Sequence, residues 1–459
     1  MLRRIVLLSA VLLIHLAAQD QTDSHALMLQ ILQRLDTLER ENHQLIEELH
    51  ALKQQLNLPQ RPAASPAQPS PEASPQSPKP SLDERVTVAE RRIAEQAQTK
   101  VEASQKFPIS LNGMLLFNAF LNSANVTLTP STSNYGLLSG PSQSGATVRQ
   151  SLLGLDFQGP SLPGSGRVNG SLMMDFWAGS SAPGVSWLRI RRAYLSLDWP
   201  NRSFTVGQDK PLISPYAPDS LAEVGIPPLA GAGNLWRWLP QARYEERLHL
   251  GEDAGLIGQI AVLQTADEFA TVPQRYANSL AAARPALEGR FALWHKLGDD
   301  GRIEFAPGFH LSSTHVAGTS VGSQIASLDW LFAPNAKFQF TGTYFHGQNI
   351  AGLGSLGNGF AILPDGEVYA IRAQGGWSQF STALTKRLTL NLFAGLEDDE
   401  PGKMLNYQIA RNLTYASNLI YHLGPNVVIG LEGLQMRTRT PSGVREVSNH
   451  YDLAFGYLF

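Results

Sequence analysis

The chain has 459 residues, a formal net charge of −3 and only 16% charged residues. A balance this close to neutral excludes a basic nucleic-acid surface and an acidic tail. The absence of cysteine excludes disulfide scaffolds, thiolate-held metals, iron–sulfur clusters and thiol catalysis.

Met1-Leu2-Arg3-Arg4 precede an apolar run from Ile5 to Leu16, which ends in Ala17-Ala18-Gln19. A basic start, a short apolar core and small residues at its end predict a secretory signal peptide over 1–19. The run is shorter than the ~20 residues of a spanning helix, and no later stretch reaches that length. Residence in a membrane would therefore require a closed β-barrel, the other structure that satisfies its own backbone in lipid.

Over 26–58 the apolar residues recur at spacings of three and four. Met28, Leu35, Leu49 and Leu56 occupy a positions, and Ile31, Leu38, Leu45 and Leu52 occupy d positions. Heptads of this kind predict an α-helical coiled coil. Asn42 is the one polar a residue and the candidate for fixing register. Arg34 faces Glu39 and Glu48 faces Lys53 across a parallel seam, while Leu32 and Ile46 at e widen the stripe beyond that of a dimer. Residues 59–81 are a Pro-rich linker, extended at about 3.1 Å per residue. A helix over 82–106 follows, introduced by the capping box Ser81-x-x-Glu84.

From 107 to 459 the period changes to two. Segments of about ten residues alternate large apolar with small or polar side chains, the form of transmembrane strands. Phe338, Phe340 and Tyr344 alternate with Gln339, Thr341 and Thr343; Leu388, Leu390 and Leu392 alternate with Thr389 and Asn391. About sixteen such segments are countable, the sixth beginning at 234 and the twelfth spanning 367–384. Connections after even-numbered segments are short, such as Trp199-Pro200-Asn201 and Gly424-Pro425-Asn426. Those after odd-numbered segments are usually longer, notably 123–145, 210–233, 266–285 and 348–366. This asymmetry is that of outer-membrane barrels, with short periplasmic turns and long external loops. The predicted fold is thus all-β: a transmembrane antiparallel β-barrel of about 16 strands, preceded by a periplasmic coiled coil. The last segment places Tyr451, Leu453, Phe455, Tyr457 and Phe459 on one face, a pattern similar to the signal read by the barrel assembly machinery.

Four stretches carry a family resemblance: Ser110 to Phe120, Arg149 to Asp156, Arg191 to Trp199, and Val206-Gly207-Gln208-Asp209. They resemble trimeric outer-membrane porins of the phosphate-selective porin O/P and DcaP-like groups, which also place a coiled coil before the barrel. The resemblance implies a homotrimer passing small solutes, anionic ones included, and a third external loop folded into the lumen. On that basis 210–233, with five prolines and the charged residues Lys210, Asp219 and Glu223, is the candidate constriction.

Arg167, Arg192, Arg237, Arg243, Arg290 and Arg372 are the candidate pore-lining cations, since guanidinium groups attract carboxylates and phosphates. Asp175, Glu245, Glu288, Glu304, Asp329 and Glu432 are expected on the same inward faces. Two readings stand: a ladder for anions, or cross-strand pairs that stiffen the wall, with Glu245 and Glu288 the partners of Arg243 and Arg290. Glu397-Asp398-Asp399-Glu400 reads as a solvated acidic loop. The histidines show no metal-ligand spacing, no cofactor is implied, and no nucleophile elbow or phosphate loop is present, so an enzyme is not expected.

The leading functional expectation is an outer-membrane porin for passive diffusion of small hydrophilic solutes. The alternative is an outer-membrane anchor that tethers the envelope, reaching the cell wall through the stalk. Expected partners are two further copies of the chain, outer-membrane lipid and lipopolysaccharide, and the assembly machinery, with no nucleic acid.

Overall fold

The computed structural model describes residues 109–123, 141–179, 185–266, 272, 274–280, 283–354, 356–406 and 408–459. The expected signal peptide, coiled coil with Asn42, linker and 82–106 helix lie outside the described residues.

The first strands are β1 (Ile109–Asn122), β2 (Gln143–Thr147), β3 (Leu152–Leu162), β4 (Gly166–Ala178), β5 (Trp187–Asp198) and β6 (Arg202–Asp209). Next come β7 (Leu239–His249), β8 (Ala254–Ala266), β9 (Ala283–Leu297), β10 (Gly301–Val316), β11 (Thr319–Asn335) and β12 (Phe338–Gln348). The short pair β13 (Phe360–Ile362) and β14 (Val368–Ala370) is followed by β15 (Arg372–Ala383) and β16 (Leu388–Asp399). The chain ends with β17 (Arg411–His422), β18 (Val427–Arg439) and β19 (Arg445–Leu458).

Seventeen of these form one antiparallel sheet, while β13 and β14 pair only with each other. β2 and β3 both pair with β1, so they are one stave interrupted at 148–151, and the sheet has sixteen staves. Pairing of β19 with β1, from Met114↔Leu458 to Asn122↔His450, closes the barrel. Closure leaves no edge, so the ladders can satisfy the backbone in a solvent that offers no hydrogen bonds.

The side chains sort by alternation. On β19 Tyr451, Leu453, Phe455 and Tyr457 are exposed, whereas His450, Asp452 and Ala454 are buried. On β1 Leu115, Phe117 and Leu121 are exposed while Asn118 and Asn122 are fully buried. Apolar outside and polar inside is the reverse of a water-soluble protein, and it is what lipid around an occupied lumen demands.

Most expected segments agree with the staves to within a few residues, and two differ in an instructive way. β7 begins at Leu239 rather than 234, because 234–238 belong to the preceding loop: Asn234 donates its backbone N–H to Leu229 and its Nδ2 to the Pro228 carbonyl. The segment expected over 367–384 is two elements, since β14 leaves the barrel wall to pair with β13. That hairpin packs with Val316, Val321 and Tyr276 of the one-turn helix α1 (Gln274–Ala277) into an apolar cluster.

Candidate functional site

The connection between β6 and β7, residues 210–238, lies inside the barrel. Its bonds reach inward-facing side chains on staves around the whole wall. Leu212 N–H donates to Glu288 at 2.7 Å, and Tyr216 Oη donates to Glu304 at 3.2 Å. Asp219 N–H donates to Gln379 Oε1 at 2.7 Å, and Gln379 Nε2 returns a bond to Asp219 Oδ2. Ser220 Oγ donates to Glu432, while Asn418 Nδ2 donates to the Asp219 carbonyl and Asn412 Nδ2 to that of Gly231.

Apolar contacts add to these bonds. Leu212, Ile213 and Leu235 pack with Ala261, Leu263, Ile325 and Phe345 of the inner wall. Leu229 and Ala232 pack with Trp377, Phe393, Leu434 and Met436. Each leucine buried this fully contributes about 1.5–3 kcal/mol, so the segment is fastened rather than draped. The approach is close enough to need glycine in the wall: a Cβ at Gly395 would stand 2.1 Å from the Ala232 carbonyl oxygen.

Space remains on the other side of the segment. A polar cavity of about 500 Å³ is lined by Asp219, Lys337, Gln339, Ser381, Asn391 and His422. It lies against the inward faces of β12, β15, β16 and β17, toward their short-turn ends.

Where the segment meets β4 to β7, the cations cluster. Arg189 holds Asp175 through two bonds, of 3.1 and 2.6 Å, and also donates to the Gly225 carbonyl. Arg191 lies 3.8 Å from the same carboxylate and 4.6 Å from the centre of the Trp238 ring. Arg192 and Arg243 share Asp209, at 2.8 and 3.2 Å. Lys210 Nζ donates to the Pro215 carbonyl; burial first, then Arg192, lowers its pKa to about 8. Arg149 spends its guanidinium on the Trp177 carbonyl at 2.6 Å and on those of Phe176, Ala178 and Gly179. Four of these cations thus share two carboxylates, Asp175 and Asp209, while Lys210 and Arg149 bond carbonyl oxygens. The side chains of Arg189, Arg192 and Arg243 are 26, 35 and 21% exposed, open enough to meet a solute.

Each of the candidate pore-lining residues has a definite place. Arg192 faces inward because of a bulge: Met173 pairs with Arg192 and Met174 with Ile190, leaving Arg191 as the extra residue. Alternation along Arg189-Ile190-Arg191-Arg192 cannot put both Arg191 and Arg192 inside, and the bulge does. Arg243 is inward, but its partner is Asp209, while Glu245 binds Gln259 and Arg247. Arg167 shares its face with Asp175, opposite Asp198 at the short-turn end. Arg290 is 5% exposed, locked by two bonds to Asp329 and one each to Glu304 and Gln259. Glu288 belongs to His310 at 2.9 Å instead of Arg290.

One expected pore-lining residue is corrected, and another belongs to a different element than expected. Arg372 lies on the outward face with Gln374 and Phe380, because Ala373, Trp377 and Gln379 take the inner positions of β15. Arg237 is on no strand; it lies in the infolded segment, with its guanidinium 5.6 Å from the Trp236 ring centre. The acidic run is corrected too. Glu397 and Asp399 are inward-facing residues of β16, 0 and 2% exposed, and Asn358 Nδ2 donates to Asp399 at 2.8 Å. Of the constriction residues, Lys210 is half-buried, Glu223 is buried, and Asp219 borders the cavity. Arg149, Arg189 and Arg191 were missed; the signal for the last two was the basic run itself, whose strand alternates with the apolar Trp187, Leu195 and Leu197. Among the described residues no group of three or more His, Asp or Glu side chains could hold a metal ion.

No protein-family model matches the chain, and no curated protein matches it. Solved structures do. The outer membrane channel DcaP of Acinetobacter baumannii superposes with a TM-score of 0.62 at 17% identity, covering 76% of this chain and 97% of that one. An anion-selective porin from Comamonas acidovorans gives 0.51 at 14% identity, covering 76% and 99%. The described residues therefore share the closed sixteen-stave barrel fold of solved outer-membrane porins.

Proposed function

We propose that the protein is an outer-membrane porin through which small hydrophilic solutes diffuse passively, with anions preferred. The observation that carries the preference is the excess of cations beside the infolded segment: four share Asp175 and Asp209, and Lys210 and Arg149 bond only carbonyl oxygens. A low-dielectric wall focuses such a field into the remaining opening, and fixed charge at the narrowest point decides which ions pass. The solved structures with this fold include an anion-selective porin, which supports the same reading.

The apolar outward face suits outer-membrane lipid and lipopolysaccharide, and the alternating aromatic face of β19 suits recognition by the barrel assembly machinery. We take the assembly to be a trimer with its N-terminal stalk in the periplasm. This rests on the widened apolar stripe of the heptads and on an apolar outer groove of about 680 Å³ lined by Leu115, Phe117, Val148 and Tyr457.

The test is the reversal potential of the Arg192→Ala/Arg243→Ala protein in planar bilayers under a salt gradient. It should move toward cations, because Asp209 then faces the lumen without either partner. The shift should be larger in dilute salt, where the Debye length is about 30 Å at 0.01 M against about 3 Å at 1 M. A potential that stays at the wild-type value at both salts would remove the anion assignment.

A further inference from the structure

We propose that Gln150 sets the position of the constriction segment, and that the interruption of the second stave at 148–151 serves to deliver it. The inference rests on reading the barrel as a channel narrowed by 210–238.

An interrupted stave leaves gaps in the ladder, and its own residues fill them. Ser151 Oγ accepts from Leu116 N–H at 2.9 Å and donates to the Leu116 carbonyl at 3.3 Å. It thereby satisfies the β1 backbone beside the break. Arg149 binds the last carbonyls of β4 on the other side. The residue between them is released from the wall and enters the barrel with no exposed surface.

There the amide of Gln150 uses its full capacity of two donors and two acceptor sites. Nε2 donates to Asn118 Oδ1 at 3.0 Å and to the Ala222 carbonyl at 2.6 Å. Oε1 accepts from Val224 N–H and Gly225 N–H, both at 2.7 Å. Three of these four partners are backbone groups of the infolded segment, so the amide mimics a strand that the segment does not have.

The same stretch is gripped from two further sides. Arg189 donates to the Gly225 carbonyl. Trp177 packs where a side chain at 225 would stand, 2.4 Å from an added Cβ. Gly225 therefore has to be glycine for the segment to approach Gln150 at all. Neither the alternation of residues nor the polarity of the wall requires a glutamine at 150; the backbone of 222–225 does.

Two variants separate positioning from bulk. Gln150→Leu keeps the approximate volume but leaves the Val224 and Gly225 N–H groups buried without acceptors, which a buried donor tolerates poorly. Gln150→Glu retains both acceptor bonds, but an ionised carboxylate cannot donate to Ala222 or Asn118. Burial and the facing Ala222 carbonyl and Asn118 Oδ1 raise this carboxyl above the ordinary glutamate value of about 4.3, and protonation restores one donor.

Single-channel currents are recorded for wild type and both variants at neutral and acidic pH. At neutral pH both variants should conduct more than wild type and flicker in the open state, with conductance bounded above by that of a protein lacking the loop. Acidification should return Gln150→Glu toward wild type and leave Gln150→Leu unchanged. The two pH values are applied to the same inserted Gln150→Glu channels, so poor insertion of Gln150→Leu does not blunt the test. Wild-type conductance and open-state noise in Gln150→Glu at both pH values would overturn the assignment while leaving the channel reading intact. A wild type that conducts nothing would remove both.

Discussion

Replacing Arg290 by methionine withdraws the one cation that, among the described residues, binds Asp329. The carboxylate of Asp329 is fully buried and takes a bidentate grip from Arg290, 2.8 Å to Nε and 2.6 Å to Nη2. Glu304 loses the same guanidinium but keeps Arg302 at 2.5 Å. The damage therefore concentrates on Asp329, and breaking a buried pair on one side costs about 3–5 kcal/mol. At about 1.4 kcal/mol per decade, this raises the unfolding constant by roughly two to three and a half orders of magnitude. The assay is urea unfolding of the purified protein in lipid vesicles, followed by the loss of heat-modifiable migration. The midpoint should fall clearly, with little change in ion selectivity, because Arg290 is walled off from the lumen. Adding Asp329→Leu should recover much of the loss, since a well-packed apolar pair can replace a buried ion pair without penalty. An unchanged midpoint would refute this, and so would a selectivity shift as large as that of Arg192→Ala/Arg243→Ala.

Lys210 gives a pH dependence. Its ammonium is charged below about pH 8 and neutral above it, so anion preference should weaken as pH rises through that value, and Lys210→Met should abolish the step. Stability follows the opposite course. Between about 8 and the ordinary 10.5 the folded chain binds fewer protons than the unfolded one, so this group adds stability as pH rises across that window; titrating the urea midpoint reads it. Phe459 exchanges both backbone bonds with Gly113, at 3.0 and 3.2 Å, where the last stave meets the first. Its deletion should lower the yield of membrane-inserted, heat-modifiable barrel and leave unfolded chain behind, and a normal inserted yield would count against this role.

The barrel was legible in the sequence because its two solvents, lipid and lumen, impose a period of two on every stave. β19 and β12 could be read residue by residue. What alternation hid were the departures from it. The break at 148–151 left no mark beyond a loss of rhythm around Val148 and Arg149. The bulge at Arg191 depends on how β4 and β5 pair, which local sequence does not encode. Arg237 was misplaced because Asn234 to Trp238 are apolar enough to resemble a strand while serving to pack the infolded segment. The acidic run at 397–400 resembled a loop because buried carboxylates are rare; the partner that makes Asp399 tolerable, Asn358, is 41 residues away. The cations were visible as residue types, but their partners were not, since pairing across a barrel joins residues from distant segments.

A charged lumen narrowed by 210–238 should conduct solutes, and more freely once the narrowing is removed. The decisive comparison is single-channel recording of the wild type beside a protein lacking most of 212–233. The wild type should show stepwise, anion-biased conductance, and removal should give a larger, less selective conductance with the barrel still inserted. Equal conductance in the two proteins would put the constriction elsewhere, and a wild type that inserts but carries no current would leave the envelope tether as the better reading.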